Sequence, residues 1–195
     1  MGGSDISVKI KTQYPWEEKI DISFSLSEKA KFKYGFRVPG WCKKYSVNLN
    51  GINAVYNLED SFAIIDREWN EGDRISITFD MPVSFIQTNP KVRDNIGKTA
   101  VTRGPVVYCV EEEDNGPELF RLHTGTPGDI SVKYEKDLLE GITTISFTGK
   151  REKDWAKDTL YQTVETILED KKLFLIPYYA CANRKAGEMT VWIKK

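Results

Sequence analysis

Alternation of apolar and polar side chains is the feature of this chain that most limits how it can fold. The apolar residues Ile20, Ile22, Phe24 and Leu26 are separated by single polar residues, an aspartate and two serines. Successive side chains of a β-strand point to opposite faces, so a period of two is typical of a strand with one buried face. The same pattern recurs over residues 6–10, 32–36, 75–79 and 189–193. These stretches predict half-buried antiparallel strands.

Turn-forming residues separate the predicted strands at short intervals. Asn50-Gly51 predicts a tight turn, because both residue types tolerate a positive φ. Pro39-Gly40 is a similar signal. Short strands separated by such turns favour a β-sandwich or a barrel. No stretch has the pattern of a long amphipathic helix. We therefore predict an all-β chain made of two antiparallel, jelly-roll-like β-sandwich domains.

The length of the chain and one break in its pattern suggest where the two domains meet. A chain of 195 residues is long enough for two β domains of ordinary size. The alternation ends near Met81-Pro82, and the polar, proline-containing stretch 88–91 fits a linker. Beyond it, residues 106–110 form a continuous apolar run, which is typical of a strand covered on both faces. We place one domain at residues 1–88 and the other at residues 89–195.

Charge and hydropathy argue against two classes of partner. The chain has 28 basic and 29 acidic side chains, and the two signs are interspersed, so it lacks the basic face that binds nucleic acid. No apolar run approaches the roughly 18 residues that cross a bilayer, so we expect no membrane partner. Residues 1–4 do not resemble the start of a signal peptide.

The cysteines are few and far apart. Cys42, Cys109 and Cys181 are odd in number and widely spaced, so we predict buried free thiols, although one disulfide would also fit. Reduced thiols favour the cytoplasm over the periplasm or export. An exported enzyme with buried thiols would show the same pattern.

The sequence shows no compact set of catalytic or metal-binding residues. Short ligand spacings such as Cys-x-x-Cys, the usual sequence signal for zinc, do not occur. His123 follows Leu122 and is expected on the solvent face of its strand, exposed and without a partner. The acidic stretch 111–114 resembles a solvated turn, or a weak calcium site, more than a catalytic pair. We predict no catalytic residue, metal or cofactor in this chain.

Aromatic and arginine side chains near turns are the candidates for a carbohydrate-binding or interdomain surface. Tyr14 and Trp16 lie in a predicted turn between two strands, and Trp41 follows another. Such rings either stack on a sugar or pack against an adjoining domain, and we favour packing against a domain. Arg37 and Arg103 precede proline-containing turns, where an arginine pairs with a carboxylate at a sheet edge or reaches the rim of a partner's active site. Three further tryptophans offer rings of the same kind: Trp69, Trp155 and Trp192.

Six short motifs occur in a definite order along nearly the whole chain. They are QYPW at 13–16, RVPGWC at 37–42, REWNEGD at 67–73, NPKVRDN at 89–95, TRGPVVYC at 102–109 and PYYACANR at 177–184. Taken together, they resemble the C-terminal region of the β-L-arabinofuranosidase family of glycoside hydrolases, family 127.

This resemblance implies β-sandwich domains that pack on an N-terminal (α/α)6 catalytic barrel, which this chain does not contain. In that family a nucleophilic cysteine, a zinc ion and an acid/base glutamate lie in the barrel, so none is carried over to a residue here. The implied function is accessory: to support the barrel, shape its active-site mouth and offer a surface for a homodimer. The alternative is a carbohydrate-binding module for arabinose-containing plant glycans. A third possibility, a free-standing β-sandwich enzyme, requires two carboxylates that converge in a groove.

Overall fold

The structure, a computed structural model, describes residues 5–154, 159–161, 163 and 166–195. The chain divides into two compact units, Met1–Pro82 and Val83–Lys195. The predicted boundary after Thr88 lies a short way downstream of this division. Strand Val83–Ile86 belongs to the second unit because it pairs with Lys98–Arg103. Both units are built mainly from β-strands and turns, so the predicted all-β class is confirmed.

The first unit consists of two antiparallel sheets. Its strands are β1 (Ile6–Thr12), β2 (Lys19–Leu26), β3 (Ala30–Arg37), β4 (Tyr45–Leu49), β5 (Ile52–Asn53), β6 (Asn57–Glu59), β7 (Phe62–Trp69) and β8 (Arg74–Phe79). Their order is β1-β2-β8-β4-β5 in the larger sheet and β3-β7-β6 in the smaller one. The predicted turn at Asn50-Gly51 joins β4 to β5, and both residues adopt the positive φ that such a turn requires.

Aromatic side chains fill the core of the first unit. The ring of Trp69 is fully buried, with its centroid 4.4 Å from that of Phe24 and 5.4 Å from that of Phe32. Its indole N–H donates to the carbonyl oxygen of Phe32 at 3.0 Å, so the buried donor is satisfied. The core positions of β2 and β8 are the apolar ones that the alternation predicts.

Strand β1 departs from the predicted half-burial, since all of its residues are exposed. Val8 pairs with Phe24 and Ile10 pairs with Ile22, so the apolar residues of β1 face the same side of the sheet as the core of β2. Because β1 is the edge strand, however, they lie outside the core cluster. Ile6, Val8 and Ile10 are 44%, 42% and 57% exposed. We call these three residues the β1 row.

The second unit contains one large sheet. Its strands are β9 (Val83–Ile86), β10 (Lys98–Arg103), β11 (Val106–Glu111), β12 (Leu122–Glu135), β13 (Ile142–Glu152), β14 (Leu168–Pro177), β15 (Met189–Thr190) and β16 (Ile193–Lys194). Six of them close into a ring, β10-β11-β14-β13-β12-β16 and back to β10. Alternation predicts strands but does not distinguish a closed barrel from a sandwich. The jelly-roll topology stays a prediction.

Short helical turns complete the second unit. Helix α1 (Glu112–Asn115) follows β11, and 3-10 turns lie at Arg93–Asn95, Leu119–Arg121 and Tyr178–Ala180. None of the described helices is both long and apolar enough to cross a lipid bilayer.

Strand β11 runs through the centre of the second unit. It pairs with β10 on one side and with β14 on the other. Its consecutive residues Tyr108, Cys109 and Val110 are all buried, which means that both of its faces are covered, as its continuous apolar run predicts. Buried residues such as Phe147 and Leu175 complete the core cluster around Tyr108 and Val110.

Candidate functional site

The candidates Tyr14 and Trp41 both pack on the core residue Phe79. Their ring centroids lie 6.0 Å and 6.2 Å from that of Phe79, and both contacts are edge-to-face. Tyr45 adds a third ring at 6.3 Å. Such pairs contribute roughly 0.5–1.5 kcal/mol beyond the area they bury. Tyr14 and Trp41 are half-buried and belong to the wall of the core, so much of each ring is already used in packing.

Trp16 lies in the same turn as Tyr14 but is 47% exposed. The Tyr14-Pro15 peptide bond is cis. The Trp16 N–H donates to the carbonyl oxygen of Gln13 at 2.8 Å, and the Tyr14 N–H donates to Oγ1 of Thr12 at 2.9 Å. These hydrogen bonds fix the turn between β1 and β2, and the turn leaves the Trp16 ring accessible.

The two arginine candidates belong to different units. Arg37 ends β3 opposite Phe62 of β7, and its side chain is exposed. Arg103 ends β10 opposite Val83 of β9 and is half-buried. Burial raises the pKa of Tyr108 to about 12, while the positive charge of Arg103 acts in the opposite direction. Arg103 is thus in the second unit, whereas the other four candidates are in the first.

The remaining tryptophans divide into three cases. Trp69 is a core residue and is not available to a ligand. Trp192 is half-buried near the C-terminus, where its backbone N–H donates to Oγ1 of Thr190 at 3.2 Å. Trp155 lies outside the described residues.

The prediction that His123 is exposed and unpartnered is wrong. Its Nε2 lies 2.8 Å from Oε1 of Glu152, and its Nδ1 lies 3.2 Å from the carbonyl oxygen of Lys195. The side chain is only 15% exposed. Strand parity does not show that the neighbouring strands bring the Glu152 side chain and the Lys195 carbonyl oxygen against the ring, where they reduce its exposure.

The acidic stretch 111–114 also differs from the predicted solvated turn. Glu111 is buried, and the Arg184 guanidinium donates to its Oε2 and to both carboxylate oxygens of Asp114 at 2.5–3.1 Å. Hydrogen bonds to Asp114 and then to Glu111 raise the pKa of Arg184 further above its ordinary value. The backbone N–H of Ala182 donates to the second oxygen of Glu111 at 2.8 Å. These carboxylates therefore anchor the segment after β14 to β11 and α1.

The cysteines differ in burial. Cys109 is fully buried, whereas Cys42 and Cys181 are half-buried, so only one of the three matches the predicted burial in full. Burial raises the pKa of Cys109 to about 12, and the adjacent thiol of Cys181 adds to the shift. Burial also raises the pKa of Cys42, whose thiol donates to the carbonyl oxygen of Lys44 at 3.0 Å.

No group of three or more His, Cys, Asp or Glu side chains in the described part of the chain is arranged to hold a metal ion. The resemblance assigns the family's zinc to the barrel. No residue described here is assigned to it.

Two family models match the chain. The model of the "Beta-L-arabinofuranosidase, GH127 middle domain" matches residues 1–81. The model of the "Glycoside hydrolase family 127 C-terminal domain" matches residues 83–194. The two matches adjoin where the structure divides into its two units.

Relatives of known name or structure give the same family. The chain is 35% identical over 202 residues to the non-reducing end β-L-arabinofuranosidase of Bifidobacterium longum subsp. longum, covering 98% of this chain and 31% of that protein. A crystal structure of a GH127 β-L-arabinofuranosidase from Geobacillus stearothermophilus T6 is similar with 37% identity and a TM-score of 0.94, over 98% of this chain and 31% of that one. A solved GH127 β-arabinofuranosidase has 30% identity and a TM-score of 0.84, over 98% and 32% of the two chains.

The chain therefore spans about a third of the length of these relatives. The resemblance deduced from the six motifs is confirmed, because the two family models together match nearly every residue. The chain belongs to glycoside hydrolase family 127, in the region formed by its middle and C-terminal domains.

Proposed function

We propose that this chain is a non-catalytic accessory region of a β-L-arabinofuranosidase-like glycoside hydrolase. Its two units, in this proposal jelly-roll-like β-sandwich domains, support an (α/α)6 barrel that carries the chemistry. The chain spans 31% of the Bifidobacterium longum relative and matches the models of the middle and C-terminal domains. Both observations favour an accessory role. The activity in the names of the relatives is then assigned to the rest of the protein.

The buried carboxylates of the second unit favour a structural role. A glycosidase needs an acid whose pKa is raised so that it can donate a proton. Burial pushes the pKa of Glu152 upward, but hydrogen bonds from Lys194 and His123 outweigh burial and hold the pKa below its ordinary value. Glu111 forms an ion pair with the Arg184 guanidinium. The lowered pKa makes Glu152 unsuited to the role of proton donor, and the ion pair gives Glu111 a structural contact.

The β1 row is the observation that carries the proposal. It is an apolar row on the core-facing side of an edge strand, and its members are about half exposed. Edge strands and contiguous apolar surface mark places where another element covers a sheet. We propose that the catalytic barrel packs against this surface, because a neighbouring domain would bury the apolar side chains that the edge strand leaves exposed.

A reconstitution experiment tests the accessory role. The chain and the barrel of the same full-length protein are produced as separate polypeptides and mixed. We expect no turnover of arabinofuranosides by the chain alone and a complex by light scattering. The variant Val8→Lys should weaken that complex, because it places a charge in the β1 row, whereas Ser7→Lys places the same charge on the other face of the strand and should not. Hydrolysis by the chain alone, or equal binding by both variants, contradicts the proposal.

A homodimer is a second partner that we propose. Ile130, Val132 and Tyr134 of β12 are 45%, 43% and 61% exposed. Among the described residues, this part of β12 pairs with β13 alone, so one edge is open to a second copy. Val132→Lys should convert a dimer to a monomer in light scattering, while Lys133→Gln should not. A wild-type monomer at high concentration contradicts this part of the proposal.

The alternative is a carbohydrate-binding module for arabinose-containing plant glycans. The exposed ring of Trp16 favours it, because such modules stack aromatic rings on sugars. Titration with arabino-oligosaccharides while tryptophan fluorescence is followed tests it. A saturable change that Trp16→Ala removes and Trp41→Phe retains would support binding, and an unchanged spectrum at millimolar ligand would count against it.

A further inference from the structure

The larger sheet of the first unit has a polar groove on the face opposite to its core. The groove has a volume of about 540 Å³. The polar residues that line it alternate with core residues, as Ser23 does with Ile22 and Phe24. It therefore lies on the other face of the sheet from the β1 row.

Strand pairing explains why this face is concave. Ser23 of β2 pairs with Lys9 of β1 and with Arg74 of β8, so a short side chain lies between two long ones. Side chains that are paired in this way are roughly 4.5–5.5 Å apart at Cβ. The turn at Asn50-Gly51 closes the groove beyond β8. The small central residues form a floor, and the long cationic ones form the rim.

The groove is positively charged, although the whole chain has a formal charge of −1. Lys9, Lys11, Lys19 and Arg74 line it together with one carboxylate, Asp21. Lys19 pairs with that carboxylate at 3.0 Å. Lys11 lies opposite the same carboxylate across the strands, and after the hydrogen bonds from Lys19 and Ser76 its charge also helps to lower the pKa of Asp21. Among the residues that the structure describes, Lys9 and Arg74 form no salt bridge. Four cations and one carboxylate therefore give the groove a net positive charge.

Hydroxyl and amide groups lie between these cations. Ser23, Ser76 and Asn48 line the groove. The Ser23 hydroxyl donates to the carbonyl oxygen of Lys9 at 3.5 Å and the Ser76 hydroxyl donates to Asp21, so both keep acceptor lone pairs for a ligand, while the Asn48 amide offers a donor and an acceptor. Such groups match the hydroxyls of a sugar, while lysine and arginine match carboxylates. The volume falls within the roughly 300–1,000 Å³ of small-molecule sites. None of the described residues that line the groove is aromatic, so charge rather than stacking would have to supply much of the affinity.

We propose that this groove binds an acidic saccharide, a short oligosaccharide bearing uronic acid carboxylates. Lys9, Lys11 and Arg74 contact the carboxylates, and the serine and asparagine side chains contact the sugar hydroxyls. Because the chain belongs to a glycoside hydrolase family, we infer that the anion is a saccharide. The inference does not depend on the accessory role proposed above.

Calorimetric titration of the chain tests this site with three probes: tri-galacturonate, a neutral arabinotriose and inorganic phosphate. We expect tri-galacturonate to bind, with an affinity that falls as salt is added, because the rim charges are exposed. The neutral trisaccharide and phosphate should bind at least about tenfold more weakly, since each lacks one of the two kinds of contact.

Paired charge reversals locate the binding. Lys11→Glu combined with Arg74→Glu should weaken tri-galacturonate binding at least about tenfold. Lys31→Glu combined with Lys33→Glu makes the same change in charge on exposed residues of β3 and should leave it unchanged. Circular dichroism confirms that both variants fold. Val8, which is substituted by lysine to test the barrel contact, lies on the opposite face of the sheet. Val8→Lys should therefore bind tri-galacturonate normally, so that failure of one proposal would not imply failure of the other.

Three results would overturn the inference. They are no binding of tri-galacturonate, equal loss of binding in both charge-reversed variants, and phosphate binding as tight as that of the saccharide. The last result would identify a simple anion site instead.

Discussion

Gly149 of β13 lies so close to His123 of β12 that a Cβ atom on the glycine would be 2.5 Å from the His123 carbonyl oxygen. The same atom would be 2.9 Å from Cδ1 of Leu173. The carbonyl belongs to a strand backbone inside the closed sheet and has little freedom to move. Gly149→Ala should therefore lower the free energy of unfolding by about 1–3 kcal/mol, the usual effect of overpacking. Urea denaturation measures the change.

A nearby glycine provides the control for this prediction. At Gly128 a Cβ atom would meet nothing within 4 Å. Gly128→Ala should leave the free energy of unfolding within about 0.5 kcal/mol of the wild type. If the two alanine variants were equally stable, the close approach of the two strands would be wrong.

Arg184 should be needed for the stability of the second unit. Its side chain is 17% exposed and pairs with Glu111 and Asp114, which are 9% and 19% exposed. Arg184→Met keeps the apolar stem but leaves two largely buried carboxylates without their cation. Removing one partner of such a cluster costs about 3 kcal/mol. We expect a loss of that size in urea denaturation.

Two further variants separate the ion pairs from packing. Arg37→Met removes an exposed guanidinium and should change stability by less than about 0.5 kcal/mol. Adding Glu111→Gln and Asp114→Asn to Arg184→Met removes the unpaired charges and should restore part of the lost stability. A triple variant that is less stable than Arg184→Met would contradict this explanation.

Glu152 should make the stability of the second unit depend on pH in acid. Burial opposes ionisation of this carboxyl, but hydrogen bonds from Lys194 and His123 prevail and lower its folded-state pKa below the ordinary value of 4.5. A lowered folded-state pKa means that the interaction stabilises the fold above the unfolded-state pKa. This stabilisation is lost as the pH falls through the folded-state pKa.

Comparison with Glu152→Gln isolates this contribution. The wild type should be more stable than Glu152→Gln at pH 7, and the difference should shrink as the pH falls below 4.5. Glu59→Gln, which changes an exposed carboxylate of the first unit, serves as the control and should show little difference at any pH. A constant difference between wild type and Glu152→Gln from pH 7 to pH 3 would refute the assigned shift.

Local pattern predicted the strands of this chain but not the contacts between distant segments. The alternation in β2 identified Ile22 and Phe24 as core residues, because parity within one strand determines which side chains face inward. Parity failed to predict the low exposure of His123 because Glu152 and the Lys195 carbonyl oxygen, both distant in sequence, contact its ring. It failed for β1 because this strand is at the edge of its sheet, outside the core cluster.

The candidate site was predicted in the same uneven way. Tyr14 and Trp41 were singled out by their place in turns, and both contact Phe79. The polar groove was missed, although its signal was present: Lys9, Ser23 and Arg74 all occupy the polar phase of alternating strands. A single strand does not show which polar residues its neighbours bring alongside, and so the groove becomes visible only once the register is known.

Cys109 should be the least reactive thiol of the folded chain. Burial raises its pKa to about 12, so almost none of it is thiolate at pH 8, and the thiolate is the reactive form. Cys181 and Cys42 are half-buried and should react faster with Ellman's reagent. In the native protein, Cys109→Ala should leave the reactions of Cys42 and Cys181 with the reagent unchanged. In urea, it should remove one thiol from the total. If Cys109→Ala abolished the fastest phase instead, the burial of this thiol in β11 would be wrong.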